Sequence, residues 1–189
     1  VTRLATVLYE DKMQPGVGGS FPPHDFILSL VADAVNRPTW ELARLIDKNP
    51  RNGVDKLIQD LPRTDRIAGA GMLYVMVDAD RIARHLGLPK TTSLDAVADE
   101  LKRRSDAPDK LSVHFLRPNL EGLMASIEAC APDRAAPPAK DHNSRDIFFK
   151  RAAYGLTPKQ RACVRQQQGG VATLVDRLAK QIRATPTAT

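Results

Sequence analysis

The sequence is poor in cysteine, histidine and aromatic residues. Its 189 residues include two Cys, four His, five Phe, three Tyr and one Trp. So little cysteine excludes a disulfide-dense scaffold. Cys130 and Cys163 stand far apart, with no CxxC and no His at metal-ligand spacing, which excludes a zinc ribbon built on them. Both read as reduced thiols, and the chain reads as a cytoplasmic protein. No apolar run approaches the about 20 residues of a membrane-spanning helix. The N-terminal residues lack the basic, apolar and small-residue pattern of a secretory leader. The glycine-rich stretch at Gly16, Gly18 and Gly19 lacks the Gly-Lys-Ser/Thr ending of a P-loop, which excludes ATP binding of that kind. With aromatics at 5%, platforms on which bases stack are not indicated.

What remains is an ordinary soluble composition, 42% apolar and 26% charged. The length favours one domain with an appendage. The net charge of +6 is unevenly placed. Residues 140–189 hold 10 basic and 3 acidic residues, a net of +7, and the rest of the chain nets −1. Lys150, Arg151, Lys159, Arg161 and Arg165 belong to this basic segment. It fits the phosphate backbone of a nucleic acid, and a solvated helix face reads the same way.

Apolar periodicity predicts alternating strands and helices. Residues 4–9 are a buried strand ending at Glu10-Asp11, and residues 12–23 are a loop. Ser20 is a candidate cap, and Pro22 or Pro23 suits the first turn of a helix to about residue 36. Pro38-Thr39-Trp40 opens a second helix to about Asp47, with Trp40 in the core. Residues 53–61 read as a third helix, and no strand is evident between 36 and 70. Residues 71–77 form the clearest strand, apolar on both faces as in the centre of a helix-covered sheet.

That strand ends at Asp78-Ala79-Asp80 and passes into a short helix containing Arg81. Thr92-Ser93 caps a helix to about Arg104. Residues 111–116 are a strand, with His114 a satisfied structural histidine, and Pro118-Asn119 starts a helix over 120–130. Residues 131–144 read as a linker, 145–184 as basic helices with a Thr157-Pro158 start, and 185–189 as a tail. The order implies an α/β fold, an open and mostly parallel sheet flanked by helices with a basic C-terminal helical appendage.

In such sheets ligands bind beyond the carboxyl ends of the strands. Glu10, Asp78 and Asp80 stand at strand ends, and Glu121 lies just past the third. Converging carboxylates call for a counter-ion, and a divalent cation supplies one. The bland reading has Asp78 capping the helix that follows. His24, at a helix start after the glycine loop, is a candidate proton shuttle or a cap residue. Arg81 suits a phosphate contact or a surface salt bridge.

These residues resemble the Toprim domain of topoisomerases, primases and OLD-family nucleases. That family has a Glu after its first strand and Asp-x-Asp after a later, strongly apolar strand. Glu10 after residues 4–9, and Asp78 and Asp80 after residues 72–77, match it. Pro118-Asn119-Leu120-Glu121 is similar to a third acidic motif of small bacterial Toprim-like proteins. The resemblance covers roughly residues 3–130. Asp11 stands where the family usually has Gly.

The resemblance implies a domain over 1–130 in which Asp78 and Asp80 bind Mg²⁺ or Mn²⁺. Glu10 is then a metal ligand or general acid/base, and Glu121 completes the site. It implies nuclease-type hydrolysis of nucleic acid, DNA before RNA, with no membrane. It also implies an alternative, a non-catalytic accessory protein working with an ATPase partner. A metal-dependent phosphatase or sugar-nucleotide transferase is the third reading. The dehalogenase-type phosphatase places its nucleophilic Asp after the first strand, where this chain has Glu10.

Overall fold

The computed structural model describes residues 3–10, 21–133 and 142–185, without the side chains of 142 and 143. Asp11, the glycine-rich loop, Ser20, Lys140 and residues 186–189 lie outside it. The chain falls into two compact units, one drawn from 1–13 and 45–122, the other from 14–44 and 123–189. Residues 21–44 therefore group with the C-terminal helices.

The first unit is built on four parallel strands in the order β2-β1-β3-β4. They are β1 (Ala5–Tyr9), β2 (Ile46–Pro50), β3 (Met72–Asp78) and β4 (Leu111–Leu116). The open parallel α/β sheet is as the sequence implies. Every residue of β1 and the middle five of β3 are buried, the signature of a sheet covered on both faces.

β2 corrects the all-helical expectation for 36–70. Ile46 is its one apolar residue, and Asp47, Lys48, Asn49 and Pro50 follow. Such a strand carries no periodic signal. It pairs with β1 from Ala5–Ile46 to Tyr9–Pro50. At the sheet edge, charge and proline are tolerated and discourage pairing with another chain.

The connections of this unit carry α3 (Val54–Asp60), α4 (Thr64–Ala68), α5 (Ile82–His85) and α6 (Leu94–Arg103). Leu57, Leu61, Ile82, Val97 and Leu101 from this layer join Leu8, Leu73, Val75, Val77 and Phe115 of the strands in one core. Ser93 caps α6 by accepting from the Ala96 N–H at 3.2 Å. His114 is buried, with Nε2 2.9 Å from the Ser112 hydroxyl, a structural histidine as expected.

Gly71 marks the entry to β3. A Cβ there would lie 2.2 Å from the Leu4 carbonyl oxygen, so only glycine permits this approach of two backbones.

The second unit is helical. It holds α1 (Pro22–Val35), α2 (Thr39–Leu45) up to Arg44, α7 (Leu120–Cys130) from Leu123, α8 (His142–Gly155), α9 (Pro158–Gln167) and α10 (Gly169–Ala184). α1 packs against α8 and α10, with the Phe26 and Phe149 rings 6.2 Å apart. Its N-cap is Phe21, followed directly by Pro22, and it ends at Asn36 in the left-handed region. Thr157 and Gln160 form a reciprocal capping box at the start of α9, as the Thr-Pro pair implies.

Two expectations are overturned in this unit. Trp40 is 62% exposed rather than core, with the Arg44 guanidinium 5.1 Å from its ring centroid. One face of this short helix holds Leu42, and the tryptophan gains a cation instead of burial. Cys130 and Cys163 are not free thiols: they form a disulfide that ties the end of α7 to α9. Their Cα atoms are 5.8 Å apart, within bridging range. A separation of 33 residues gives no hint of that approach.

Candidate functional site

The strand order creates a switch point. The chain leaves β1 toward β2 on one side and leaves β3 toward β4 on the other. Adjacent strands whose connections diverge leave a crevice beyond their carboxyl ends, where open α/β folds bind ligands. Glu10 follows β1 directly, and Asp78 is the last residue of β3. The register pairs Tyr9 with Met76, which brings the two acids to the same end of neighbouring strands.

The Asp78 N–H donates to Glu10 Oε2 at 3.1 Å. The Glu10 carbonyl accepts from the Gly53 N–H at 2.9 Å, which anchors its backbone to the chain beyond β2. Both acids are half-buried, whereas Asp80 is exposed.

Asp80 is held from the other side. The Ala79 N–H donates to the carbonyls of Leu116 and Pro118, each at 3.0 Å, and the Asp80 N–H donates to Pro118 at 3.3 Å. The Asn119 amide donates to Asp80 Oδ2 at 3.2 Å, while its Oδ1 accepts from the Gly122 N–H at 3.1 Å. Asn119 therefore couples the start of α7 to the Asp-x-Asp turn. Its position after Pro118 marks a helix start in the sequence, but the link to Asp80 has no sequence signal. The N-cap position of α5 is Arg81, so Asp78 does not occupy the cap that the bland reading gave it.

An open cleft of about 520 Å³ adjoins Asp80, with Lys90, Thr92, Ser93, Asp95 and Arg117 in its wall. Lys90 and Arg117 are cations that sequence reasoning did not single out. Glu121 is exposed in the first turn of α7. Arg81 is exposed and forms no ion pair among the described residues.

The structure thus joins Glu10 to Asp78 and links Asp80 to Asn119. Among the described residues, no three His, Cys, Asp or Glu side chains are grouped as a metal site. The donors are nevertheless hard carboxylate oxygens. Mg²⁺ takes one or two carboxylates and completes its shell with water, so Glu10, Asp78 and Asp80 fit that ion by donor chemistry.

His24 lies in the first turn of α1, in the helical unit, and is 2% exposed. Among the basic residues, Arg161 forks onto Asp33 through Nε at 2.6 Å and Nη2 at 2.8 Å. Arg165 pairs with Asp176. Lys150, Arg151 and Lys159 form no ion pair among the described residues. No described helix is long and apolar enough to cross a membrane.

No protein-family model and no curated protein matches the chain. Among solved structures, it is similar to the C-terminal region of the OLD protein of Xanthomonas campestris pv. campestris. The two share 16% identity at a TM-score of 0.41, with 96% of each chain covered.

Proposed function

We propose that the chain hydrolyses phosphodiester bonds of nucleic acid, DNA before RNA, with Mg²⁺ or Mn²⁺ as cofactor. The observation that carries this reading is the pairing of Glu10 with the Asp78 N–H at the switch point of the sheet. Asp78 and Asp80 would hold the ion, with Glu10 as ligand or general acid/base and Glu121 at the margin. The bound ion supplies charge neutralisation at the phosphate and a more acidic water.

The chain's own residues position the reactants. The Asp78 N–H fixes the Glu10 carboxylate, as a base or ligand acting at one point requires. Asn119 fixes Asp80. Arg81 is the nearest exposed cation in sequence for a phosphate oxygen. His24 is buried in the first turn of α1, so the reading gives the proton to Glu10. Along the nucleic acid, Lys150, Arg151 and Lys159 are cations without an ion pair among the described residues, whereas Arg161 and Arg165 would first release Asp33 and Asp176.

The test is cleavage of labelled DNA with Mg²⁺ or Mn²⁺, beside Mn²⁺ binding read by electron paramagnetic resonance. Replacing Asp78→Ala together with Asp80→Ala abolishes both. Unchanged cleavage in that variant refutes the assignment. A wild type that binds Mn²⁺ and cleaves nothing points to the accessory reading, in which an ATPase partner uses the fold.

A further inference from the structure

α8 has two unlike faces. Phe148, Phe149, Ala152 and Ala153 are buried. Ile147, Lys150, Arg151 and Tyr154 stand at i, i+3, i+4 and i+7, one continuous stripe of a helix. Ile147 is 44% exposed and Tyr154 is 75% exposed, which is unusual for large apolar side chains in this chain. Arg151 is exposed and Lys150 half-exposed. An open depression of about 620 Å³ is lined by Lys150, Arg151, Tyr154 and Gly155.

We propose that this stripe is a binding platform for single-stranded nucleic acid. Two observations select that occupant. First, Lys150 and Arg151 form no ion pair among the described residues, although Arg161, Arg165 and Arg183 of the same unit are engaged with Asp33, Asp176 and the Ala34 carbonyl. Unspent cations complement a polyanion. Second, they line the same depression as an exposed aromatic ring. A phosphate beside a flat apolar face is the repeating chemistry of an unpaired nucleotide. A duplex hides its base faces inside the stack and leaves a tyrosine nothing to cover.

From Ile147 to Tyr154 the stripe runs about 10 Å along the axis. Tyr154 is the aromatic ring in the wall of this depression. The inference deepens the phosphodiester reading by naming the strand form of the substrate, and it rests on that reading only in calling the bound strand a substrate.

The test uses the full chain, a fluorescein-labelled deoxythymidine 20-mer and a labelled duplex of equal length, read by fluorescence anisotropy without metal. Wild type binds the single strand, and Tyr154→Ala weakens that binding about five-fold or more while leaving the duplex unchanged. Tyr154→Phe restores it. Lys150→Ala and Arg151→Ala each lower the salt slope by about 0.7. Equal single-strand affinity in wild type and Tyr154→Ala overturns the platform, as does the absence of single-strand binding or displacement by polyglutamate as effective as by unlabelled strand. Loss of cleavage in the Asp78/Asp80 variant beside an inert Tyr154→Ala refutes the platform alone. Selective binding through Tyr154 without cleavage in either metal refutes the enzyme alone.

Discussion

Replacing Cys130 and Cys163 together by serine gives the sharpest test of the helical unit. The bridge closes a loop across 33 residues of sequence, spanning the end of α7, α8 and the first half of α9. Cross-linking a loop of that length removes chain entropy from the unfolded state worth about 3.7 kcal/mol at 25 °C. For a chain of this size, about 1 kcal/mol moves Tm by 2–4 °C, so the variant should melt about 7–15 °C lower. The expected observation is a calorimetric Tm loss of that size, matched by wild type in dithiothreitol and absent when the reductant is added to the variant. A thiol assay under denaturing conditions should detect no free thiol in protein purified without reductant. Free thiols in that sample would refute the bridge, and an unchanged Tm in the variant would refute the entropy argument.

Two further perturbations probe the site and its supports. Gly122→Ala should cost about 1–3 kcal/mol although alanine favours helices more than glycine does. Its Cβ would lie 2.5 Å from Pro118 Cδ and 2.6 Å from the Arg117 carbonyl oxygen. Relief moves the turn that accepts the Ala79 and Asp80 N–H groups, so thermal unfolding at or above the wild-type temperature would sink this reasoning. Hydrogen bonds from Arg104, then Arg103, hold the Glu100 carboxyl below its ordinary pKa. A lowered carboxylate stabilises the fold above its ordinary value and loses that contribution as pH falls through the lowered one. Wild type should therefore exceed Glu100→Gln in urea resistance at neutral pH and lose the advantage in acid; an advantage that grows on acidification contradicts the sign.

Local signals in the sequence were sufficient where one segment satisfies itself. The apolar runs before Glu10 and Asp78 have few alternatives to a buried strand, so β1 and β3 are legible. Thr157-Pro158 and Ser93 close their own helix ends within one turn, so those starts are legible too. The acids at the strand ends follow from the same runs, and with them the outline of a site.

Long-range partners decided the rest. Residues 46–50 are a strand because β1 offers its hydrogen-bonding edge, and nothing in their own composition favours it. Trp40 is large and apolar, but burial depends on what packs over its helix, and here the ring stays 62% exposed beside Arg44 of the same helix. Cys130 and Cys163 lie on different helices, and only packing brings their Cα atoms within bonding reach. Arg161 looks like any exposed cation until Asp33, far away in sequence, takes up its guanidinium. The sequence is poor in cysteine and aromatic residues. Yet the two cysteines are bonded, and one tyrosine lines a depression with Lys150 and Arg151. Composition bounds what a chain can build; side-chain geometry assigns the few residues present to their roles.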